Sequence, residues 1–435
     1  MKRSLLIKPM MDEHYPTVVR GEGIYLYDDQ GKKYLDGSSG AVTASLGHAL
    51  PEIIHASYEQ LQKVSFVYRS QFTSEAAEEL AHDLNKRLDA KEDYWSFFVN
   101  SGSEATETAM KIAIQHYQEQ GKATKNKIIS RWVSYHGITM GALSMSGHVK
   151  RRERFVPLLE DYPCVAAPYC YQCPFQQTFP NCKLACAKDL ETAITRIGAQ
   201  HIAAFIAEPI VGAAGGVIVP PKGYYQEIKR ICDQYDILFI ADEVMTGLGR
   251  SGKMFAIDYW DVKPDIVTLG KGLSAGYTPI AAALASEKVM LPIIRGSKSI
   301  MSGHTFSANP QSAAIALAVL NYLEKEKVVE NVQRLGEMLL QKLDLLAKQN
   351  PIIGDIRGKG LLIGVEFHSK SHGSLTQKMV KTARDKGLLL YPSSAGVDGI
   401  EGDGIIIAPP LTIKEKELDE LVALFAETLK EFQGG

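Results

Sequence analysis

Asp265-Ile-Val-Thr-Leu-Gly-Lys-Gly-Leu-Ser-Ala-Gly276 reads as a buried strand that delivers a lysine. Ile266-Val-Thr-Leu269 is a short, largely β-branched run, the pattern of a strand covered on both faces. It ends in Lys271 between Gly270 and Gly272, with Gly276 close behind. A lysine at a strand's C-terminal edge, flanked by residues without side chains, leaves room for a flat, bulky group against its amine. Open α/β sheets bind ligands at that edge. A solvated loop lysine is the competing reading, and only the lysine's partners elsewhere in the chain separate the two.

On either side of this stretch, strands and helices alternate. Ser96-Phe-Phe-Val99 predicts a strand, followed by a helix from Gly102 to Gln120 with Ala105, Ala109, Ile112 and Ala113 on one face. Strands at 127–132, 203–207 and 237–241 follow, with helices at about 185–197 and 222–234. A charged helix and an irregular cysteine-bearing insertion occupy about 148–182. This alternation predicts an α/β fold with a mostly parallel sheet between helices. Upstream, residues 22–36 read as a hairpin around Asp29-Gln-Gly31, and helices start at Pro51 and near Ser74. Downstream, a long helical region from Asn309 breaks once before Asn350. Strand-like runs at 360–366, 388–391 and 405–408 come next, with a helix over 375–386 and an amphipathic one from Lys414 to the end. The division expected is an N-terminal arm (1–60), a large domain (61–325) and a smaller C-terminal α/β domain (326–435).

The 435 residues exceed one ordinary core, which agrees with that division. Formal net charge is −2, with 45% hydrophobic and 23% charged residues, so composition makes no case for nucleic acid or a membrane surface. The N-terminal stretch has too short an apolar run for a signal peptide, and no run approaches bilayer length. A cytoplasmic protein is expected, with its six cysteines reduced.

Four features converge on the edge that carries Lys271. Asn100-Ser-Gly-Ser-Glu104 runs from a strand straight into a helix, and Ser101, Gly102 and Ser103 there form a cup for phosphate as well as an ordinary serine cap. Strand 237–241 delivers Asp242, a carboxylate able to keep a pyridine nitrogen protonated, though Asp242-Glu243 also suits a magnesium site; Val244 follows to cover a ring face. Tyr135-His136-Gly137 ends another strand, with an aromatic ring for the opposite face. Gly303-His-Thr-Phe-Ser-Ala-Asn-Pro310 opens a helix and offers Thr305 to a phosphate. Together they suit pyridoxal 5'-phosphate (PLP), whose aldehyde condenses with a lysine.

In order and spacing, Asn100-Ser-Gly-Ser-Glu-Ala, Tyr135-His-Gly, Ala207-Glu-Pro, Ala241-Asp-Glu-Val-Met-Thr-Gly-Leu-Gly-Arg-Ser-Gly, Thr268-Leu-Gly-Lys-Gly-Leu-Ser-Ala-Gly-Tyr and Thr305-Phe-Ser-Ala-Asn-Pro resemble the class-III aminotransferases. The resemblance implies a fold-type-I PLP-dependent transferase and a homodimer with its sites at the interface. It implies Lys271 as the Schiff-base lysine and proton carrier, Asp242 on the pyridinium and Val244 and Tyr135 on the ring faces. Ser101, Gly102 and Ser103 fall at the phosphate, His136 beside the cofactor, Glu208 toward the substrate, and Thr305 at the other subunit's phosphate. Arg250 is read as structural.

Two positions depart from the family pattern. Relatives that use α-amino acids carry an arginine three residues before the Pro-Pro of the last strand; here that position is Ile406. Met245 stands where many relatives have glutamine. Both departures resemble the ω-amine:pyruvate branch, so the expected reaction moves an amino group from a primary amine or ω-amino acid to a 2-oxo acid, with Ile406 supplying apolar surface to the substrate. The acidic loop 393–403 has no arginine, which leaves Arg20, Arg69 and Arg151 as candidates for a carboxylate. A PLP-dependent lyase or decarboxylase on the same scaffold is the alternative. A non-enzymatic scaffold is disfavoured because Lys271 and Asp242 are both present. Cys170, Cys173, Cys182 and Cys186 have spacing that admits a structural zinc, but a metal is not the expected reading.

Overall fold

The computed structural model describes residues 4–88, 90–369 and 371–432. The first three residues of the expected arm and the last three of the expected final helix lie outside them. Strands β1 (Val18–Glu22), β2 (Tyr25–Asp28) and β3 (Lys33–Asp36) form an antiparallel meander, with the β2–β3 turn at the expected place.

The central sheet contains β4 (Tyr94–Val99), β5 (Lys127–Arg131), β6 (Cys164–Val165), β7 (Ile202–Ala207), β8 (Leu238–Asp242), β9 (Ile266–Leu269) and β10 (Ala281–Ser286). Its order is β4-β10-β9-β8-β7-β5-β6. Strands β9, β8, β7, β5 and β6 pair in parallel, whereas β10 is antiparallel to both its neighbours. β4 therefore points the same way as β9, and the C-terminal ends of β4, β5, β7, β8 and β9 share one edge.

The α/β expectation holds, but β10 was not anticipated. Ala281-Ala-Ala-Leu-Ala-Ser286 has the composition of a helix rather than a strand. Its small side chains, all buried, let the helix Gly102–Gln118 pack closely across β10 and β9. The charged helix expected after residue 148 is a single turn, Val149–Arg152.

A second sheet contains β11 (Ile353–Lys359), β12 (Leu362–Phe367), β14 (Tyr391–Ala395) and β15 (Gly402–Ile407), antiparallel in the order β11-β12-β15-β14. β11 was missed because Ile353-Gly-Asp-Ile-Arg-Gly-Lys359 carries two glycines and three charges. The short β13 (Leu388–Leu389) leaves this sheet to pair with β3, so residues 388–389 close onto the N-terminal meander. The final helix is Glu415–Lys430.

Arg250 joins these parts. Its guanidinium is 2% exposed and donates to the carbonyls of Leu361 (2.9 Å) and Pro409 (2.6 Å) and to Ser39 Oγ (3.1 Å). Burial pushes its pKa down to about 9, the Asp36 charge opposing. Arg250→Met would leave two buried carbonyls without donors. The variant is expected to lose about 2–4 kcal/mol of stability, read as a lowered denaturation midpoint with the cofactor site still formed at low temperature.

Candidate active site

The shared strand edge opens into a cavity of about 190 Å³. Each strand that points to it contributes one element of the lining. Asp242 is the last residue of β8, and Lys271 lies two residues past the end of β9. β7 is followed at once by Glu208, β5 leads to Tyr135 and His136, and β4 leads to Gly102 and Ser103. Val244, Met245, Gly137, Ala213, His148, Arg151 and Tyr391 complete the wall.

Asp242, 3% exposed, is bound on three sides. Its Oδ1 accepts from the Val244 N–H (3.1 Å) and the Thr268 hydroxyl (3.0 Å), and its Oδ2 lies 2.7 Å from His136 Nδ1. Thr268 is also the residue opposite Asp242 in the β8–β9 register, so one contact fixes both side chain and strand pairing. His136 Nε2 is buried and has no hydrogen-bond partner among the described residues.

Lys271 has φ +38°, in the left-handed region that a lysine rarely adopts, inside a tight turn closed by Leu273 N–H on Gly270 O at 2.8 Å. No hydrogen bond ties its amine among the described residues. Burial lowers its pKa; the charges of Asp242 and Glu208 oppose that shift and the charge of Arg151 adds to it. Glu208 accepts from the backbone N–H of Tyr135 (3.1 Å) and of Gly212 (2.9 Å), and burial raises its pKa. Beneath it the fully buried Arg131 donates to the Glu208 carbonyl (2.6 Å) and holds the strand end in place.

Ser101 caps the helix Gly102–Gln118 by accepting from the Glu104 N–H at 3.3 Å, and it does not line the cavity. Ser103 Oγ accepts from the Ile138 N–H at 3.0 Å, which leaves its proton free to donate. A Cβ at Gly102 would stand 2.8 Å from Val244 Cγ1, so only glycine lets the helix start sit this close to the Val244 wall. Thr305 is exposed and outside the cavity lining.

Ile406 does not line the cavity either. It is fully buried in β15, paired with Tyr391 and Gly364, and its neighbours Ile405 and Ile407 are equally buried. The expectation that it presents apolar surface to substrate is corrected. Strand β15 is covered on both faces, so alternation along it cannot identify a cavity side.

Cys186 lies in the helix Ala185–Ile197, as expected, and its pKa is raised to about 12, chiefly by burial. Cys170, Cys173, Cys182 and Cys186 border one narrow crevice; among the described residues no group of three or more His, Cys, Asp or Glu is arranged to hold a metal ion. No described helix is long and apolar enough to cross a membrane.

The donor set fits PLP: an untethered amine, a bound carboxylate, a helix start with a cavity-lining glycine and a free serine proton, and a valine and a tyrosine for two ring faces. Sequence reading did not anticipate His148, Tyr391 or Arg131, since no motif marks any of them.

The family model described as aminotransferase class-III matches residues 8–429. An uncharacterized aminotransferase, YodT, of Bacillus subtilis strain 168 is 52% identical over 434 residues, covering 98% of this chain and 97% of that protein. Two solved structures superpose closely. An amine transaminase from an uncultivated Pseudomonas species, in its PLP-bound form, has a TM-score of 0.93 and 32% identity over 98% of this chain and 99% of that one. A thermostable (S)-enantioselective omega-transaminase from Thermomicrobium roseum has a TM-score of 0.91 and 34% identity over 99% and 96%. The architecture is the fold-type-I PLP-dependent one, and the chain belongs to the class-III aminotransferases, PLP-dependent enzymes.

Proposed function

We propose that this aminotransferase takes its amino group from a primary amine or ω-amino acid and delivers it to a 2-oxo acid, with pyruvate as the acceptor. One observation carries the donor half. The position that holds a carboxylate clamp in relatives acting on α-amino acids is Ile406, and it is sealed inside β15 away from the cavity. A bidentate arginine–carboxylate contact in a desolvated pocket is worth roughly 2–5 kcal/mol when truncated. Without it an α-carboxylate confers no fixed advantage on a donor. The two solved relatives, an amine transaminase and an omega-transaminase, support the same reading.

PLP, when bound, supplies the aldehyde that captures an amine and a ring that withdraws electrons from the bond being broken. Gly102 and Ser103 would hold its phosphate, Asp242 its ring nitrogen, Val244 and Tyr135 its two faces, and Lys271 its aldehyde carbon. Because burial lowers the Lys271 pKa, its amine spends more time as free base at neutral pH than an exposed lysine does. That free base accepts and returns the proton of the substrate carbon. His136, bound to Asp242, keeps that carboxylate aimed into the cavity.

Thr305 belongs to the partner's site in this reading. Segment 301–306 is largely exposed and carries two large apolar side chains on its surface, Met301 and Phe306, with Phe306 edge-on to Phe66 at 5.7 Å. An exposed apolar surface of this kind suits a second copy of the chain. A cytoplasmic setting accords with the six free cysteines.

Lys271→Ala is expected to lower turnover by about 10³-fold or more and to abolish the pH-dependent visible absorption of lysine-bound cofactor, while the protein still folds. Asp242→Asn is expected to lower kcat well beyond any change in KM, since its contribution grows in the transition state. Donor choice is checked by comparing kcat/KM for alkyl and aryl amines, ω-amino acids and α-amino acids against pyruvate, with alanine formation measured stoichiometrically. Turnover of α-amino acids alone would defeat the proposal, and ammonia release without an acceptor would point to a lyase.

A further inference from the structure

The turn Val149–Arg152 carries three consecutive cations, and two of them are committed to the backbone. Lys150 Nζ donates to His372 O at 3.0 Å. Arg152 Nη1 donates to the carbonyls of Leu143, Ser144 and Ser146 at 3.1, 3.0 and 2.7 Å. Arg151, between them, makes no side-chain hydrogen bond or ion pair among the described residues. Its guanidinium lies over the Tyr135 ring, 4.8 Å from the centroid. Stacking engages the flat face of a guanidinium and leaves its N–H edge free, the edge that matches a carboxylate with two parallel hydrogen bonds.

Among the described residues, Arg151 is also the one arginine in the cavity lining. Arg357 is engaged by Asp355 and Glu366 (2.7 Å each) and by Gly215 O through its two terminal nitrogens, and it does not line the cavity. Arg20 is paired with Glu22, Arg69 donates to Ser302 O, and neither lines the cavity. His148 carries no charge at neutral pH, because burial and then the Arg151 and Lys150 charges push its pKa down to about 4.

We propose that Arg151 binds the carboxylate of the 2-oxo acid acceptor at the mouth of the cavity, its stacking on Tyr135 holding the guanidinium ready. The assignment rests on the aminotransferase reading above and names the carboxylate-binding residue of that same site.

The test uses holoenzyme and separates the two halves of the reaction. Single-turnover absorbance follows uptake of the amino group from sec-butylamine, which has no carboxylate, and its release to pyruvate. Arg151→Gln is expected to lower the efficiency of the pyruvate half relative to the amine half by about tenfold or more, with Arg151→Lys between the two because it keeps the charge but loses the fork. Arg151 also depresses the Lys271 pKa, but that influence falls on both halves and cancels in the ratio. Calorimetric titration with propanoate, a carboxylate that cannot react, supplies a second readout: its affinity is expected to fall about tenfold in Arg151→Gln. Equal losses in both halves, or an unchanged propanoate affinity, would overturn the assignment. If the wild-type enzyme took an amino group from no amine, the donor proposal would fail, and the propanoate titration alone would decide Arg151.

Discussion

A buried carboxylate is the constraint on which the active edge depends. Asp242 is almost sealed from solvent, and an unpaired charge there would cost several kcal/mol. Its partners come from three places: a hydroxyl on β9, a backbone N–H just past β8, and an imidazole at the end of the loop after β5. Slipping β9 by one residue would remove the hydroxyl, and turning the 135–137 loop would remove the imidazole. The correct strand pairing, the loop position and the placement of Lys271, three residues beyond Thr268, are therefore satisfied together or not at all.

The same edge sets the protonation of the amine. Lys271 is held with a left-handed backbone in a turn between glycines, and burial drives it toward the neutral form. Asp242 and Glu208 pull the other way. Glu208, however, is itself pushed by burial toward the protonated state, so its opposing pull is weakened. Two carboxylates near one lysine thus play unlike parts: Asp242 is fixed in place by three hydrogen-bond partners, while Glu208 is pushed toward its neutral form by desolvation.

The parts legible in the sequence were those where local chemistry and fold agree. Ile266-Val-Thr-Leu269 is β-prone and becomes β9 with the expected bounds. Asn100-Ser-Gly-Ser carries a cap and becomes a helix start, with Ser101 serving as that cap rather than facing the cavity. β10 was hidden because its alanines are chosen for the helix that crosses them, a tertiary demand with no local signature. Ile406 was misplaced because its strand is apolar on both faces. Arg20, Arg69 and Arg151 could not be ranked in one dimension. What separates them is which cations are already spent on carbonyls and carboxylates, a property of the folded chain alone.

That last distinction bears on how one cavity would serve the proposed pair of substrates, which differ in charge. A guanidinium buried at the Ile406 position would be stranded, unpaired in an apolar sheet, whenever a donor without a carboxylate occupied the site, at a cost of several kcal/mol. Arg151 is exposed, so solvent satisfies it when no carboxylate is present. Its stacking on Tyr135, worth about 0.5–1 kcal/mol at an exposed site, orients the guanidinium and leaves its N–H edge open. On the proposed reading, a charge at the mouth would admit an apolar donor without penalty and still reward an anionic acceptor, whereas a charge buried in β15 would have no solvent to satisfy it.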